Sequence, residues 1–272
     1  MSLPVALQLF SVRQAFSADP LRTLEKVREM GYDGVEFAGL FTFKDDARAL
    51  RYELDHIGLR AISAHVPFAE LWGDTDKVIE NYGVLGCEYV AIPWLDAKTM
   101  LTKETIGDTL EKVKVIGKKL SDAGITLLYH NHNFEFEKID GKYIIDIIYS
   151  EVSADLLKTE LDTCWVNVGG EDPAAFIRKY AGRSPVVHLK DFVGGGKEGL
   201  FELIGKKTEV RENKAEFDFR PVGYGVQDFK SILSASLDAG SKWVVVEQDR
   251  SSERDPLDAC RMSREYLRTL GW

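Results

Sequence analysis

Short apolar runs alternate along the chain with longer segments whose apolar residues recur at helical spacing. The runs are apolar throughout rather than at every second position, which is typical of parallel strands buried on both faces. The segment that begins at Thr102 shows the other pattern, since Ile106 and Leu110 fall on one face and predict a helix from Thr102. Glycines that can close a helix by adopting positive φ separate the two kinds of segment at Gly31, Gly58, Gly86, Gly124, Gly182 and Gly240.

Eight of the apolar runs predict strands, and helical segments lie between them. The predicted strands cover residues 5–10, 34–37, 60–65, 89–93, 126–131, 158–161, 185–189 and 243–247. The chain has 272 residues and no break in composition, so this alternation favours an α/β fold, a single (β/α)8 TIM barrel over residues 1–272. An open doubly wound sheet is the alternative.

Three helix starts are marked by an aspartate followed by a proline. The aspartate side chain can accept a hydrogen bond from the first turn, and proline lacks the N–H that would be left without a partner there. These pairs are Asp19-Pro20, Asp172-Pro173 and Asp255-Pro256.

One segment departs from the repeat. Between Lys190 and Gln227 the chain is rich in Gly, Lys and Glu and is longer than an ordinary βα connection. We therefore predict an extended loop after strand 7, on the face where the strands end and where lids and substrate-binding elements are often found. The glycines on either side of Tyr224 offer an alternative role, phosphate binding at the start of the next helix.

The composition narrows the class of protein. A net charge of −9 and a pI near 5.2 disfavour nucleic acid as a partner, because an acidic surface repels the phosphate backbone. The three cysteines, Cys87, Cys164 and Cys260, form no CxxC pair and suit a reducing, cytoplasmic location. We expect no membrane partner either, since no apolar run approaches the roughly 18 residues that span a bilayer. The N-terminal run predicts a strand rather than a signal peptide.

Four of the predicted strands end in side chains that bind metal ions. The fifth leads to His130, His132 and Glu135, the sixth to Asp162, the seventh to His188 and the eighth to Glu247. A buried carboxylate or imidazole is unfavourable without a partner, and in a barrel the carboxyl ends of all strands meet at one face. We therefore predict one divalent ion, Mn²⁺, Mg²⁺, Co²⁺ or Zn²⁺, with oxygen and nitrogen ligands. The ligands are assigned to Glu135, Asp162, His188 and Glu247.

Such an ion can polarise a carbonyl and stabilise an enediolate, and a nearby acid or base then moves a proton at the adjacent carbon. Isomerisation, epimerisation and elimination of water all belong to this chemistry. We predict Glu135, Glu247 and Lys190 as catalytic groups. The predicted substrate contacts are polar and aromatic residues near strand ends: Gln8, His65, His130, His132, Lys190 and Trp165.

Simpler roles account for several of these residues as well. Glu135 could be an exposed charge, Asp162 could cap the turn that follows it, and Lys190 could be solvated. A lone histidine such as His188 is more often a core residue whose hydrogen bonds are satisfied. Glu36, at the end of the second strand, has a weaker case for a site role because it could pair with Arg60 or Lys44.

The chain resembles the sugar phosphate isomerase/epimerase family of the xylose isomerase-like TIM-barrel superfamily. The resemblance spans nearly the whole chain and rests on LQLFSVR at residues 7–13, MGYDGVEF at 30–37, SAHVPF at 63–68, YHNHNFEFE at 129–137, ELDTCW at 160–165, VHLKDF at 187–192, VGYGVQDF at 222–229 and VVVEQD at 244–249. The superfamily also contains inosose dehydratases, hydroxypyruvate isomerases, ketose 3-epimerases and endonuclease IV.

The resemblance implies one divalent ion held by Glu, Asp, His and Glu from four strands, and Asp162, His188 and Glu247 match three of these positions. At the fourth position many relatives read Glu-Asn-His, whereas residues 130–132 here read His-Asn-His. The carboxylate of Glu135 lies close by in sequence and is the replacement we predict.

In the isomerases and epimerases of the superfamily the two glutamates often act as acid and base. The resemblance therefore implies a metal-dependent isomerase or epimerase whose small-molecule substrate is a sugar, a keto-sugar or a cyclitol. The missing glutamate favours the alternative, a dehydratase or lyase of a keto-sugar or inosose that uses a histidine or Lys190.

Two further functions stay open. A phosphodiesterase resembling endonuclease IV would need two or three metal ions and many histidine ligands, and the chain has only five histidines. A sugar-binding barrel without catalysis is the other. The sequence is compatible with a homo-oligomer.

Overall fold

The computed structural model describes residues 2–39, 46–194 and 217–272. At its centre lies a sheet of eight parallel strands, numbered in chain order. They are β1 Val5–Gln8, β2 Gly34–Phe37, β3 Arg60–Ala64, β4 Tyr89–Ile92, β5 Thr126–His130, β6 Lys158–Asp162, β7 Val186–Leu189 and β8 Trp243–Val246. Their order is β3-β2-β1-β8-β7-β6-β5-β4. A parallel bridge between His65 and Ala91 joins the two outer strands, so the barrel is nearly closed and the predicted (β/α)8 fold is confirmed.

Helices surround the sheet and connect successive strands. The α-helices among the described residues are α1 Arg13–Ala18, α2 Pro20–Glu29, α3 Ala47–Ile57, α4 Phe68–Gly73, α5 Thr75–Leu85, α6 Ile106–Asp122, α7 Ile144–Glu151, α8 Thr163–Val168, α9 Pro173–Lys179, α10 Phe229–Asp238 and α11 Pro256–Thr269. Two 3₁₀ helices, Leu9–Val12 and Phe134–Phe136, follow β1 and β5.

The predicted helix boundaries are confirmed except at one helix. The side chains of Asp19, Asp172 and Asp255 each accept a hydrogen bond from a backbone N–H in the first turn of α2, α9 and α11. All six glycines predicted to end helices have φ between 77° and 88°. The helix predicted from Thr102 begins at Ile106 instead, because the Thr102 N–H donates to the Thr105 hydroxyl at 3.3 Å and holds a turn before it.

The strands separate two apolar layers, and this arrangement determines where the polar side chains lie. Eight apolar side chains fill the barrel interior and are called the apolar plug: Ala6, Ile62, Tyr89, Ala91, Leu128, Val186, Trp243 and Val245. A larger cluster fills the space between the sheet and the helices. Successive side chains of a strand point to opposite faces, so residues two positions beyond an interior one also point inward. Leu128 is followed in this way by His130, and Val186 by His188, which places both imidazoles above the interior plug.

The segment after β7 begins and ends as a two-stranded antiparallel ribbon, in which Asp191–Gly194 pairs with Phe217–Arg220. The rest of the extended loop predicted there, residues 195–216, lies outside the described residues. A second short ribbon joins Lys138–Ile139 to Lys142–Tyr143. None of the helices in the described ranges is long and apolar enough to cross a bilayer.

Candidate metal centre

Ten polar side chains converge above the apolar plug at the carboxyl ends of the strands, and all are buried. They are Gln8, Glu36, His65, His130, Glu160, Asp162, His188, Lys190, Glu247 and Asp249. The strand register brings them together, since Gln8 lies beside Glu36, His130 beside Glu160, and Asp162 beside His188. These residues form two groups at different depths, which share His130 and His188.

The outer group contains three carboxylates around one ammonium. Lys190 Nζ lies 3.0 Å from Asp162 Oδ2, 2.8 Å from Glu247 Oε2 and 2.9 Å from Asp249 Oδ1. His188 Nδ1 is 3.0 Å from Glu247 Oε2. The Lys190 ammonium is therefore the positive charge that pairs with Asp162 and Glu247 in this structure.

Four residues of this region are placed to bind a metal ion. His130, Asp162, His188 and Glu247 each offer one ligand atom, and these atoms lie within 4.8 Å of one another. Three of them, Asp162, His188 and Glu247, are predicted ligands, whereas His130 is a predicted substrate contact. The nitrogen and oxygen donors fit Zn²⁺, Co²⁺ or Mn²⁺.

Asp162 performs two tasks at once. Its Oδ1 accepts hydrogen bonds from the backbone N–H groups of Cys164 and Trp165 at the start of α8, at 2.8 and 3.1 Å. Its Oδ2 has no hydrogen-bond partner of good geometry among the described residues and faces Lys190 and the imidazole of His130, 3.7 Å away. The two roles predicted for Asp162, capping the turn that follows it and binding a metal ion, would thus use different oxygens.

The charges of the outer group stabilise one another. Burial opposes the charged form of Lys190, but Asp162, Asp249 and Glu247 raise the pKa of its ammonium well above the usual value. Burial also raises the pKa of Asp249, which ends near 6 although Lys190 opposes this. For Glu247 burial is outweighed by Lys190 and His188, which lower the pKa of this carboxyl. The group therefore contains an ammonium as an acid and the Glu247 carboxylate as a base.

The inner group lies deeper in the barrel and centres on Glu160. Glu160 Oε2 is 2.6 Å from His65 Nε2, 3.3 Å from His130 Nδ1 and 3.6 Å from His188 Nε2. Glu36 Oε1 is 2.8 Å from His188 Nε2 and 3.2 Å from His65 Nε2. The four residues His65, His130, Glu160 and His188 also have ligand atoms within 4.8 Å of one another.

The inner carboxylates determine the charge of the histidines around them. Burial disfavours the imidazolium form of His65, but Glu36 and Glu160 raise its pKa to about 10. The same two carboxylates overcome burial at His188 and raise its pKa well above the usual value. Burial lowers the pKa of His130, and His188 and His65 lower it further. His130 is therefore neutral and has a nitrogen lone pair available for a metal ion.

Glu135, the predicted fourth ligand, does not join either group. Its Oε1 accepts a hydrogen bond from the Tyr129 hydroxyl at 2.6 Å, and its Oε2 accepts one from the His132 N–H at 2.8 Å. Both oxygens are thus used to hold the turn that follows β5. At the strand end where the resemblance implies a ligand, His130 is the residue whose nitrogen lies with Asp162, His188 and Glu247.

The remaining predicted contacts surround the centre. The His132 ring stacks against the Trp165 ring with centroids 5.6 Å apart, and Lys190 Nζ lies 5.3 Å from the Trp165 ring. Gln8 does not face the opening, because its Nε2 donates to Glu36 Oε1 at 2.7 Å and its Oε1 accepts from the Phe10 N–H. Gln8 and His65 therefore both contact Glu36 of the inner group, and His65 also lines the space above the centre.

Two residues of the centre, Glu160 and Asp249, were not predicted from the sequence. Glu160 lies two residues before Asp162, so the period of two along a strand could have identified it as a second inward-facing carboxylate. Asp249 follows the end of β8 by three residues, and no periodic signal places it. The space above the centre is small, about 10 Å³, and is lined by Phe10, His65, Pro93, Trp94, His130, His132, Lys190, Glu247 and Asp249.

Comparison with known families gives a match over most of the chain. The family model described as "Xylose isomerase-like TIM barrel" matches residues 24–270. The inosose dehydratase of Geobacillus kaustophilus (strain HTA426) is 24% identical over 279 residues, which cover 92% of this chain and 86% of that protein.

Solved structures with the same fold include a sugar phosphate isomerase/epimerase from Parabacteroides distasonis ATCC 8503. It has a TM-score of 0.78 at 21% identity and covers 98% of this chain and 94% of its own. The IOLI protein, solved with a binding zinc atom, has a TM-score of 0.72 at 16% identity and covers 99% of this chain and 98% of its own. At these identities the two structures establish the shared fold.

Proposed function

Since the chain belongs to the xylose isomerase-like TIM-barrel family, we propose that it is a divalent-metal-dependent enzyme acting on a keto-cyclitol or keto-sugar, and that the reaction is a dehydration. The observation that carries this proposal is the outer group, in which a protonated Lys190 contacts the ionised Glu247 at 2.8 Å beside four potential metal ligands. The inosose dehydratase relatives, such as that of Geobacillus kaustophilus, support the choice of substrate class.

His130, Asp162, His188 and Glu247 would hold the ion. The set fits a metal ion because the buried Asp162 Oδ2 lacks a hydrogen bond of good geometry among the described residues and because the neutral His130 offers a lone pair. A Lewis acid bound there would polarise the carbonyl of the substrate and lower the cost of negative charge on its oxygen. The zinc atom in the IOLI protein supports a metal of this type.

Glu247 and Lys190 supply the proton transfers. Glu247 removes the proton from the carbon next to the carbonyl, and the electrons of that C–H bond form the new C=C bond. The C–O bond to the neighbouring hydroxyl breaks, and Lys190 donates the proton that turns the leaving group into water. Because the two groups touch, the proton taken by Glu247 can pass to Lys190 and restore both for the next turnover.

The choice of dehydration over isomerisation or epimerisation depends on residue 130. Relatives with a glutamate there have two carboxylates flanking the substrate, whereas a neutral His130 in this chain is a poorer proton carrier next to a metal. One base and one acid in contact are what an elimination requires. Epimerisation is the second candidate, because Asp249, whose pKa is raised to about 6 mainly by burial, offers a further acid 2.9 Å from Lys190.

The experiment is a substrate screen in D₂O with ketone-bearing cyclitols and sugars, followed by NMR and mass spectrometry. We expect an inosose to lose one water in a reaction that EDTA abolishes and that Mn²⁺, Co²⁺ or Zn²⁺ restores. Glu247→Gln should be inactive, whereas Glu171→Gln, a carboxylate outside the centre that accepts from the Tyr143 hydroxyl, should keep the activity. Deuterium uptake without loss of water would support epimerisation instead. The absence of both reactions across the panel would refute the proposal.

A further inference from the structure

The inner group is not needed by the reaction proposed above, yet it contains one of the two sets of four residues that could hold a metal ion in the described part of the chain. We propose that Glu160 and His65, together with an inward-facing nitrogen of His130 or His188, form a second divalent-cation site beneath the first, with Glu36 beside it. This inference extends the proposed function, and it does not depend on which reaction the outer group performs.

The distances around Glu160 fit a small tetrahedral ion. Zn²⁺ binds nitrogen and oxygen at about 2.0–2.1 Å, so neighbouring ligands of a tetrahedral site lie about 3.3 Å apart. The three imidazole nitrogens lie 2.6, 3.3 and 3.6 Å from Glu160 Oε2, which spans that value. An ion between them would require shifts of only a few tenths of an ångström from most of these contacts.

Several buried atoms of the inner group lack hydrogen bonds. Among the described residues, Glu36 Oε2 and Glu160 Oε1 have no hydrogen-bond partner, and His188 Nε2 has only the charged contacts with Glu36 and Glu160 given above; all three side chains are fully buried. Buried polar atoms of this kind usually have a partner. A cation that binds both oxygens of Glu36 or of Glu160 would provide one.

The charge of the whole centre favours two ions. Its buried carboxylates are Glu36, Glu160, Asp162, Glu247 and Asp249, and Lys190 is the one ammonium in contact with them among the described residues. In the metal-free centre these carboxylates face the Lys190 ammonium and the imidazoles of His65 and His188, and buried charge is strongly unfavourable unless it is paired. Divalent cations bound at both sites would pair with the carboxylates and take the place of protons on these imidazoles.

The two shared histidines allow both sites to be filled. His188 turns Nδ1 toward Glu247 and Nε2 toward Glu36 and Glu160. His130 turns Nε2 toward Asp162 and Nδ1 toward Glu160. A neutral imidazole has a single lone pair, so both rings can bind the outer ion when it is alone, and one of them would turn to the inner ion when both sites are filled, leaving Asp162, Glu247 and the other ring at the outer site. The inner site is then closed by protein ligands, as structural metal sites are, and the outer site keeps a position for substrate.

Metal analysis of the purified protein, grown and dialysed with Zn²⁺ and freed of loosely bound ions, tests this inference. We expect two ions per chain in the unmodified protein. Glu160→Gln should retain one, because it removes the central carboxylate of the inner site, and Asp162→Asn should retain one, because it affects the outer site. Glu171→Gln is the control, a glutamate outside both groups that accepts a hydrogen bond from the Tyr143 hydroxyl, and should retain two.

The outcomes separate this inference from the proposed function. One ion that Asp162→Asn loses and Glu160→Gln keeps would overturn the inner site and leave the proposed function intact. One ion with the opposite behaviour would support the inner site and contradict the outer one. No bound ion in the unmodified protein would overturn both.

The unmodified protein provides a second measurement in case Glu160→Gln fails to fold. Co²⁺ titration of chelator-treated protein, followed by its visible absorption, should saturate at two equivalents with two distinct spectra. Saturation at one equivalent would overturn the inner site.

Discussion

The sequence predicts Glu135 as a metal ligand, whereas the structure places it outside both groups. Replacing Glu135 with glutamine tests which of the two is right. Burial raises the pKa of this carboxyl from 4.5 to about 7, against the opposing hydrogen bonds from Tyr129 and the His132 N–H. Glutamine has the shape of the protonated acid and cannot ionise. In the structure the residue positions the turn after β5 and lies outside both groups of candidate metal ligands.

The magnitude follows from proton linkage. Below pH 4.5 the carboxyl is protonated in both the folded and the unfolded protein, so it contributes no pH dependence. Between pH 4.5 and about 7 the unfolded chain releases the proton and the folded protein keeps it, so the free energy of unfolding falls as the pH rises. At about 1.36 kcal/mol per pKa unit, the loss amounts to about 3 kcal/mol and is complete above pH 7.

The assay is urea unfolding of the unmodified protein and Glu135→Gln in parallel between pH 4.5 and 8, with a chelator in both. Other titrating groups cancel in the difference, which should change by about 3 kcal/mol in favour of the variant as the pH rises. The glutamine NH₂ faces a backbone N–H or the Tyr129 hydroxyl, and that mismatch costs about 1–3 kcal/mol at every pH. A difference that stays flat across this pH range would show an ionised Glu135 in the folded protein and refute this reasoning.

Three further predictions concern the centre and its surroundings. Lys190→Met should lower kcat by about 10²–10⁴-fold, the usual contribution of a general acid, while metal content is retained; an unchanged kcat would remove Lys190 from the mechanism. Gly225→Ala should destabilise the protein by about 1–3 kcal/mol, because the added methyl would lie 2.3 Å from Asp191 Oδ1 and Phe192 O; Gly107→Ala, which meets nothing within 4 Å, is the control, and equal unfolding midpoints would contradict the argument. Zn²⁺ at 100 times its dissociation constant should stabilise the chelated protein by about 2.7 kcal/mol per site, which a thermal shift assay would detect, and an unchanged Tm would count against metal binding.

Much of the fold follows from local patterns that can be read along the chain. The uniformly apolar strands, the Asp–Pro helix starts and the glycines after helices each have a local cause, and each was found where it was predicted. The start of α6 is the exception, because a hydroxyl contact between Thr102 and Thr105 competes with the helix and leaves no mark in the hydrophobic periodicity.

The candidate site was predictable only in part. Asp162, His188 and Glu247 stand at strand ends, where the fold itself directs side chains to the centre. Which oxygen of a carboxylate faces the site, and whether Glu135 or His130 reaches it, depends on the turn after β5. That turn is fixed by hydrogen bonds to Tyr129 and His132, which are tertiary contacts. The sequence did not predict the inner group for a similar reason, since its carboxylates, Glu36 and Glu160, come from strands far apart in sequence.

The central claim is that His130, Asp162, His188 and Glu247 bind a divalent ion at the carboxyl end of the barrel. Anomalous diffraction from crystals grown with Zn²⁺ or Mn²⁺ measures the position of that ion directly. We expect an anomalous peak within bonding distance, about 2.0–2.2 Å for Zn²⁺, of Asp162, Glu247 and at least one of the two histidines, with Glu135 outside that distance. A peak that Glu135 ligates, or no peak in the outer group of a fully loaded crystal, would contradict the claim.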